Sequence, residues 1–398
     1  MIQEKQETGI EIKDRTLGEY SSDNPEIQVV FLGGIHGNEP AGVFALERVL
    51  ETLNKERPAF QGKMIALAGN IPALEQNTRY VDVDLNRIWH TSFYNGSEDH
   101  KGTSESLQKR ELEDQFKRIL SGNIRTIFID LHTTSSESKP FMAIGDTLRN
   151  RKLAKGLPIP LILGFEEHMK GTLFNFFNYL GVCSILFEAG QHQSPASVDA
   201  HEAIIWMVLV KTGCVHPENV PEYEKFETLL GKGRASVFET IFRYEISEGE
   251  GFEMYPGFFN FQKVKKGLEV ARNSDGPVRT SASGRMFLPL YQKQGNDGYF
   301  IIKRVRRIWL KLSSGLRKLK TEPWLNILPG VRKHPVFPFT YEVDPKVAFL
   351  FPRQFFHLFG YKKLFLGDDK LIMARRRYDT EAPRPDTVLQ NLTMLMKR

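Results

Sequence analysis

Residues 27–50 read IQVVFLGGIHGNEPAGVFALERVL, and the stretch changes character at the glycine pair Gly33–Gly34. Ile27, Val29, Val30 and Phe31 before it have the β-branched and aromatic make-up of a buried strand. Beyond it, Pro40 suits the first turn of a helix. Ala41, Val43, Phe44, Leu46, Val49 and Leu50 then recur at helical spacing. The glycines let the chain leave the strand sharply, so His36 and Glu39 fall at a strand-to-helix corner. In α/β folds such corners carry chemistry. The pair reads either as a turn histidine beside a helix-capping glutamate, or as two ligands of one metal ion.

The same strand–helix alternation continues outward. Lys63–Ala68 (KMIALA), Thr126–Asp130 (TIFID) and Ser184–Phe187 (SILF) read as strands, with shorter candidates at Pro140–Gly145 and Pro160–Gly164. Glu105–Leu120 and Ser197–Lys211 read as helices. This pattern predicts an α/β domain over residues 1–220, with helices on both faces of a largely parallel sheet. The polar, irregular stretch Val83–Gly102 inside it has the make-up of a functional loop. After the proline-containing stretch His216–Tyr223, short strands recur between Gly and Asn/Asp-Gly turns, which predicts a small all-β domain at 221–305. Residues 306–398 alternate basic clusters with aromatic segments such as FPRQFFHLFGYKKLFLG.

Composition narrows the function. Of 398 residues, 41% are hydrophobic, enough for a substantial core. The net charge of +6 is uneven. Residues 301–398 hold 21 Lys+Arg against 8 Asp+Glu, and the rest holds 33 against 40. Any nucleic-acid or anionic-membrane contact would therefore rest on the tail alone, and neither is favoured over a tail packed on the body. Cys183 and Cys214 cannot form a disulfide framework or a cysteine zinc site. The first ten residues lack the pattern of a secretory signal, and no apolar run is long enough to cross a bilayer. A cytoplasmic location is expected.

A metal reading of His36 and Glu39 needs a third ligand and an open coordination position. His132 in IDLHTTS follows a strand and would emerge at the carboxyl edge of the sheet, with Asp130 able to orient its imidazole. A capped strand end is the plainer account of the same residues. Hydrolysis further needs a base and an oxyanion donor. Glu188 in LFEAG would project from the same edge, and TRYVDVDLNR supplies Arg79, Asn86 and Arg87. Taken singly, each is an ordinary surface residue.

Together, GGIHGNEPAGVFAL, NTRYVDVDLNR, IDLHTTS and LFEAG resemble, in that order, the succinylglutamate desuccinylase/aspartoacylase family of zinc hydrolases, over roughly residues 25–215. The resemblance implies a zinc-carboxypeptidase-like mixed sheet followed by a smaller β domain. It also implies one zinc ion on His36, Glu39 and His132, with Glu188 as general base and then proton donor. Arg79 would stabilise the oxyanion, and Asn86 and Arg87 would hold the α-carboxylate of a small N-acyl amino acid. One departure stands out: Gly171–Phe187 (GTLFNFFNYLGVCSILF) has no Arg or Lys where aspartoacylase places an arginine for the substrate's second carboxylate. That disfavours N-acetylaspartate and N-succinylglutamate and favours a less charged acyl group or side chain. Of the other histidines, His192 is a candidate to line the site, whereas His90, His100 and His168 read as surface residues. Tyr291 and Tyr299 are candidates to reach it from the β region. The rival readings are a zinc carboxypeptidase acting on peptides and a non-catalytic zinc scaffold presenting the basic tail.

Overall fold

In the computed structural model the glycine corner follows the third strand of one eleven-stranded sheet. The structure describes residues 10–89, 100–231, 235–318, 325, 327–335, 337–344, 353–364 and 371–396. The readings made on His90 and on the first nine residues lie outside them. The first part of the chain forms β1 (Thr16–Ser21), β2 (Ile27–Gly33), α1 (Ala41–Glu56), β3 (Lys63–Ala68), α2 (Ser104–Ser121), β4 (Arg125–Thr134), β5 (Phe141–Ile144), β6 (Leu161–Leu163), α3 (Leu173–Leu180), β7 (Cys183–Gln191) and α4 (Pro195–Thr212).

Strand β2 runs parallel to β3 and β4, and β4 runs parallel to β7, while β1 and β5 join antiparallel. Both faces of β2 are covered, which is why its sequence is a continuous apolar run rather than an alternating one. Val29 and Phe31 pack with Val43, Leu46 and Val49 of α1 and with Ile204 and Ile205 of α4. Val30 and Leu32 pack on the other side with Leu112 and Phe116 of α2 and with Phe176 and Phe177 of α3. The mixed α/β sheet with helices on both faces is therefore present.

Two strands run further than their apolar cores suggested. β4 continues through Thr134 and β7 through Gln191, so His132 and Glu188 lie within strands rather than after them. The polar side chains interrupt the hydrophobic pattern, but the backbone ladder does not need apolar side chains, and His132 pairs in register with Glu188.

Four strands of the region expected as a small all-β domain extend this sheet. The region contains β8 (Val237–Glu245), β9 (Glu253–Met254), β10 (Lys263–Val264), β11 (Glu269–Asn273), β12 (Gly276–Arg279), β13 (Gly284–Phe287) and β14 (Asp297–Arg304). β8 pairs parallel with β6, and β14, β13 and β10 extend the same sheet, while β12, β11 and β9 form a small sheet of their own. Phe238, Phe287, Phe300 and Ile302 share a core with Phe165 and Ile162 of the first part. Turn residues mark where strands end; they do not say which sheet a strand enters.

The remainder adds α5 (Arg307–Leu316), β15 (Val331–Lys333), β16 (Thr340–Val343), α6 (Arg353–Leu358), β17 (Tyr361–Leu364), β18 (Leu371–Arg375) and α7 (Pro385–Met396). Its four strands form an antiparallel sheet in the order β15-β16-β18-β17, with Tyr341, Phe356, Tyr361 and Met373 as its core. α7 returns to the first part, where Val388 and Leu392 enter the cluster around Phe116 and Leu120. No helix of the described residues is long and apolar enough to cross a membrane.

Candidate metal centre

The corner after β2 is shaped by close backbone approach. At Gly37 any side chain would collide with the backbone of Ala73 and Leu74, and the Gly37 N–H donates to the Arg79 carbonyl at 3.2 Å. One glycine thus seats the His36–Glu39 turn and fastens the segment that carries Arg79 beside it.

His36, Glu39 and His132 are all buried, and one ligand atom from each falls within 4.8 Å of the others. His36 Nδ1 lies 2.9 Å from Glu39 Oε1, and His132 Nδ1 lies 3.0 Å from Glu39 Oε2. The Thr133 N–H donates to that second oxygen at 3.1 Å, so Glu39 is held from its own corner and from β4. Burial alone would raise the Glu39 pKa, but the two histidines hold its carboxyl well below the usual range.

Each imidazole also faces a carboxylate on its outer nitrogen. His132 Nε2 lies 3.2 Å from Asp130 Oδ2, though not aligned for a hydrogen bond, and His36 Nε2 lies 3.3 Å from Asp84 Oδ1. Acids on the outer nitrogens are what imidazoles ligating through Nδ1 require for a fixed tautomer. The donor set, its convergence and this backing fit a zinc ion. Asp130 was legible as an orienting group two residues before His132. Asp84 was not singled out, although it stands in the quoted DVDLNR stretch two residues before Asn86.

Asp84 organises the loop as well. Its Oδ1 accepts from the Asn86 N–H at 2.8 Å, and its Oδ2 accepts from Arg79 Nε and Nη2 at 3.2 and 3.1 Å. Against the upward push of burial, Arg79, Arg87 and His36 hold its carboxyl well below the ordinary range. Arg79 is thereby aimed at the cluster, with Nη1 3.7 Å from Glu39 Oε1. Asn86 Oδ1 accepts from the Leu173 N–H at 2.8 Å, which leaves its amide N–H group for other contacts. Arg87 is salt-bridged to Asp297 of β14, which Arg243 of β8 also holds. Asp297 and Arg243 had no sequence signal, being ordinary charges in strands more than 150 residues away.

His36, Glu39, Arg79, Asn86, Arg87, His132 and Asp297 share one cavity of about 90 Å³ with Glu188 and with the apolar Phe165, Met169, Phe174, Leu186, Leu288 and Phe300. Glu188 is buried and its Oε2 has no hydrogen-bond partner. Burial, opposed by His132 and reinforced by Glu39, pushes its carboxyl well above the usual carboxylate range. His192 does line the cavity, with Nδ1 2.7 Å from Thr133 Oγ1 and Nε2 3.1 Å from Gln292 Oε1. His100 and His168 are not among its lining residues, nor are Tyr291, whose hydroxyl donates to the Tyr255 carbonyl, and Tyr299, which is buried in the small β core. Among the phenylalanines of 171–187, Phe174 alone faces the cavity; Phe176 and Phe177 pack with Trp89 and Phe116, and Phe187 lies in the core beneath α4.

The mixed sheet thus gathers two histidines and two acids, His36, His132, Glu39 and Glu188, around one cavity. Within this chain, residues 25–208 match the succinylglutamate desuccinylase/aspartoacylase catalytic domain. The chain is 32% identical over 121 residues to a succinylglutamate desuccinylase of Pseudomonas putida, covering 30% of this chain and 34% of that one. A succinylglutamate desuccinylase of Chromobacterium violaceum is 28% identical over 263 residues, covering 63% and 75%. The chain thus spans about a third of the first curated relatives' length. The crystal structure of a succinylglutamate desuccinylase/aspartoacylase from Rhodobacter sphaeroides shares the fold, with a TM-score of 0.54 at 18% identity over 73% of this chain and 88% of that one.

Proposed function

We propose that the protein is a zinc-dependent amidohydrolase that removes the acyl group from an N-acyl amino acid or a similar small amide. The observation that carries this reading is the buried Glu188 side chain, its Oε2 without a hydrogen-bond partner, lining the same cavity as His36, Glu39 and His132. A centre that only bound metal would have no use for it. Zinc on those three residues would supply a Lewis acid that polarises the amide carbonyl and lowers the pKa of water.

The chain's own groups divide the remaining work. Glu188 takes a proton from the attacking water and delivers it to the leaving nitrogen, a task suited to a carboxyl with a raised pKa. Arg79, pre-aimed by Asp84, donates to the carbonyl oxygen as negative charge develops. The amide N–H group of Asn86 and the guanidinium of Arg87 hold the α-carboxylate of the substrate.

Two features support a small, modestly charged substrate. The cavity volume is well below the ~300–1,000 Å³ of pockets that take drug-sized ligands, which favours a small amide over a peptide. Arg87 and Arg243 are already countered by Asp297, and the wall beyond is apolar, so little positive charge is left for a second carboxylate.

The test is a panel of N-acyl amino acids assayed with the zinc-loaded protein. We expect N-acetyl or N-formyl derivatives of neutral amino acids to exceed N-acetylaspartate and N-succinylglutamate in kcat/KM by roughly 10-fold or more, about 1.4 kcal/mol of discrimination. Preference for the diacids would overturn the substrate reading. Turnover of peptides alone would overturn the amidohydrolase reading.

A further inference from the structure

A second cavity, of about 570 Å³, lies between the C-terminal sheet and the catalytic body and shares no lining residue with the metal centre. Its volume is in the range of small-molecule sites. The C-terminal sheet accounts for it through strand alternation. Tyr341, Tyr361 and Met373 point into the sheet's own core, so the other face presents Thr340, Lys362, Leu364 and Ala374 to the cavity.

The charge in this cavity is one-sided. Lys362, Arg375, Arg376 and Arg377 line it, against Asp146 and Glu166. Both carboxylates are already engaged: Asp146 Oδ2 lies 2.9 Å from Arg151 Nη2 and 2.7 Å from Arg317 Nη2, and Glu166 Oε1 lies 2.8 Å from Arg376 Nη2. Among the described residues, neither Lys362 nor Arg377 has a carboxylate at ion-pairing distance. The Arg377 guanidinium rests on the Tyr179 ring at 4.3 Å and donates through Nη2 to the Tyr378 hydroxyl at 3.4 Å, a neutral partner that an anion can replace. Burial, with Arg376 and Arg377 close by, lowers the Lys362 pKa despite Glu166 and Glu167, so an added anion would relieve this site.

The rim is also strained. Phe339 and Tyr378, both lining residues, adopt the left-handed backbone region at φ 53° and 52°. Bulky side chains rarely do so, and such strain gathers at functional sites.

We propose that this cavity binds a small organic anion bearing a phosphate group, with Lys362 and Arg377 on the phosphate and Leu364, Ala374 and Phe339 against its apolar part. Phosphate fits better than carboxylate because its greater charge and additional oxygens can satisfy several cations at once. The source of the phosphate, a nucleotide or a lipid headgroup, is separated by the choice of probe. This inference is independent of the amidohydrolase reading, since its readout is binding.

Titration calorimetry of the full-length protein with inorganic phosphate, AMP and dihexanoyl phosphatidic acid tests it. We expect saturable binding of AMP or of the lipid, tighter than inorganic phosphate, with the winner naming the source. Lys362→Met and Arg377→Gln should each weaken that binding by about 10-fold, the cost of one charge-assisted contact, without changing metal content. In the wild-type chain the bound probe should also protect Lys362 from acetylation, read by mass spectrometry, which keeps the test valid if a variant misfolds. No saturable binding of any probe, binding of inorganic phosphate alone, or unprotected Lys362 with unchanged affinity in both variants would each overturn the proposal.

Discussion

At the residue scale, the proposed zinc site rests on His36, Glu39 and His132. His36→Ala, Glu39→Ala and His132→Ala should each lose most of the bound zinc, because three protein ligands with an open position leave no spare donor. Asp84→Asn removes the charge behind the His36 imidazole, 3.3 Å away, together with the ion pair to Arg79, and should weaken zinc affinity by roughly 10–100-fold. Elemental analysis with competitive chelator titration reads both effects, and full zinc in all three alanine variants would refute the ligand assignment. Glu188→Gln keeps the shape of the cavity wall while removing the proposed proton acceptor. Its zinc content should match the parent, and kcat on a confirmed substrate should fall by at least ~10²-fold. Parental turnover would show that Glu188 is not the base.

At the element scale, the short segment after β6 links the C-terminal part of the chain to the site. Phe165 and Met169 line the catalytic cavity, while Glu166 and Glu167 between them turn away toward the C-terminal sheet. Arg376 Nη2 holds both carboxylates, at 2.8 and 2.7 Å, with all three side chains buried. Arg376→Ala would remove the guanidinium that two buried carboxylates share, and losing one partner of a buried pair costs roughly 3–5 kcal/mol. Urea unfolding should show a midpoint lowered accordingly, and KM should rise because the wall carrying Phe165 and Met169 loses its anchor. A parental midpoint and KM would mean that the C-terminal sheet does not brace the site.

At the scale of the whole molecule, the C-terminal part is docked through buried charge, and this gives stability a defined pH dependence. His357 of α6 lies 2.7 Å from Glu239 Oε1 through Nδ1 and 3.1 Å from Glu167 Oε2 through Nε2. Burial alone would lower its pKa, but the two glutamates raise it from 6.5 to about 9. A folded-state pKa above the unfolded value stabilises the fold fully below about pH 6.5, and this is lost as pH rises through about 9. The contribution is on the order of 2–3 kcal/mol. Thermal melts between pH 6 and 10 should therefore show the wild type well above His357→Gln at pH 6, with the gap closing by pH 10. A gap independent of pH would refute the charged docking contact.

Local periodicity and the glycine corner were enough to read β2, α1, β3, β4, β7 and α4 from the amino-acid order, because each buries an apolar face whose spacing is a local property. The corner also made His36 and Glu39 visible as a pair, and Asp130 and His132 fell two apart on one strand. Where β8 and β14 would pair was not local. Joining the main sheet depended on Phe238, Phe287 and Phe300 completing a core begun by Ile162 and Phe165, and pairing partners leave no mark on either strand alone. For the same reason Asp297, Arg243 and the Glu166–Arg376–Glu167 cluster emerged only in three dimensions. A single charged residue is ordinary in sequence; what it does is decided by the opposite charge that the fold buries against it.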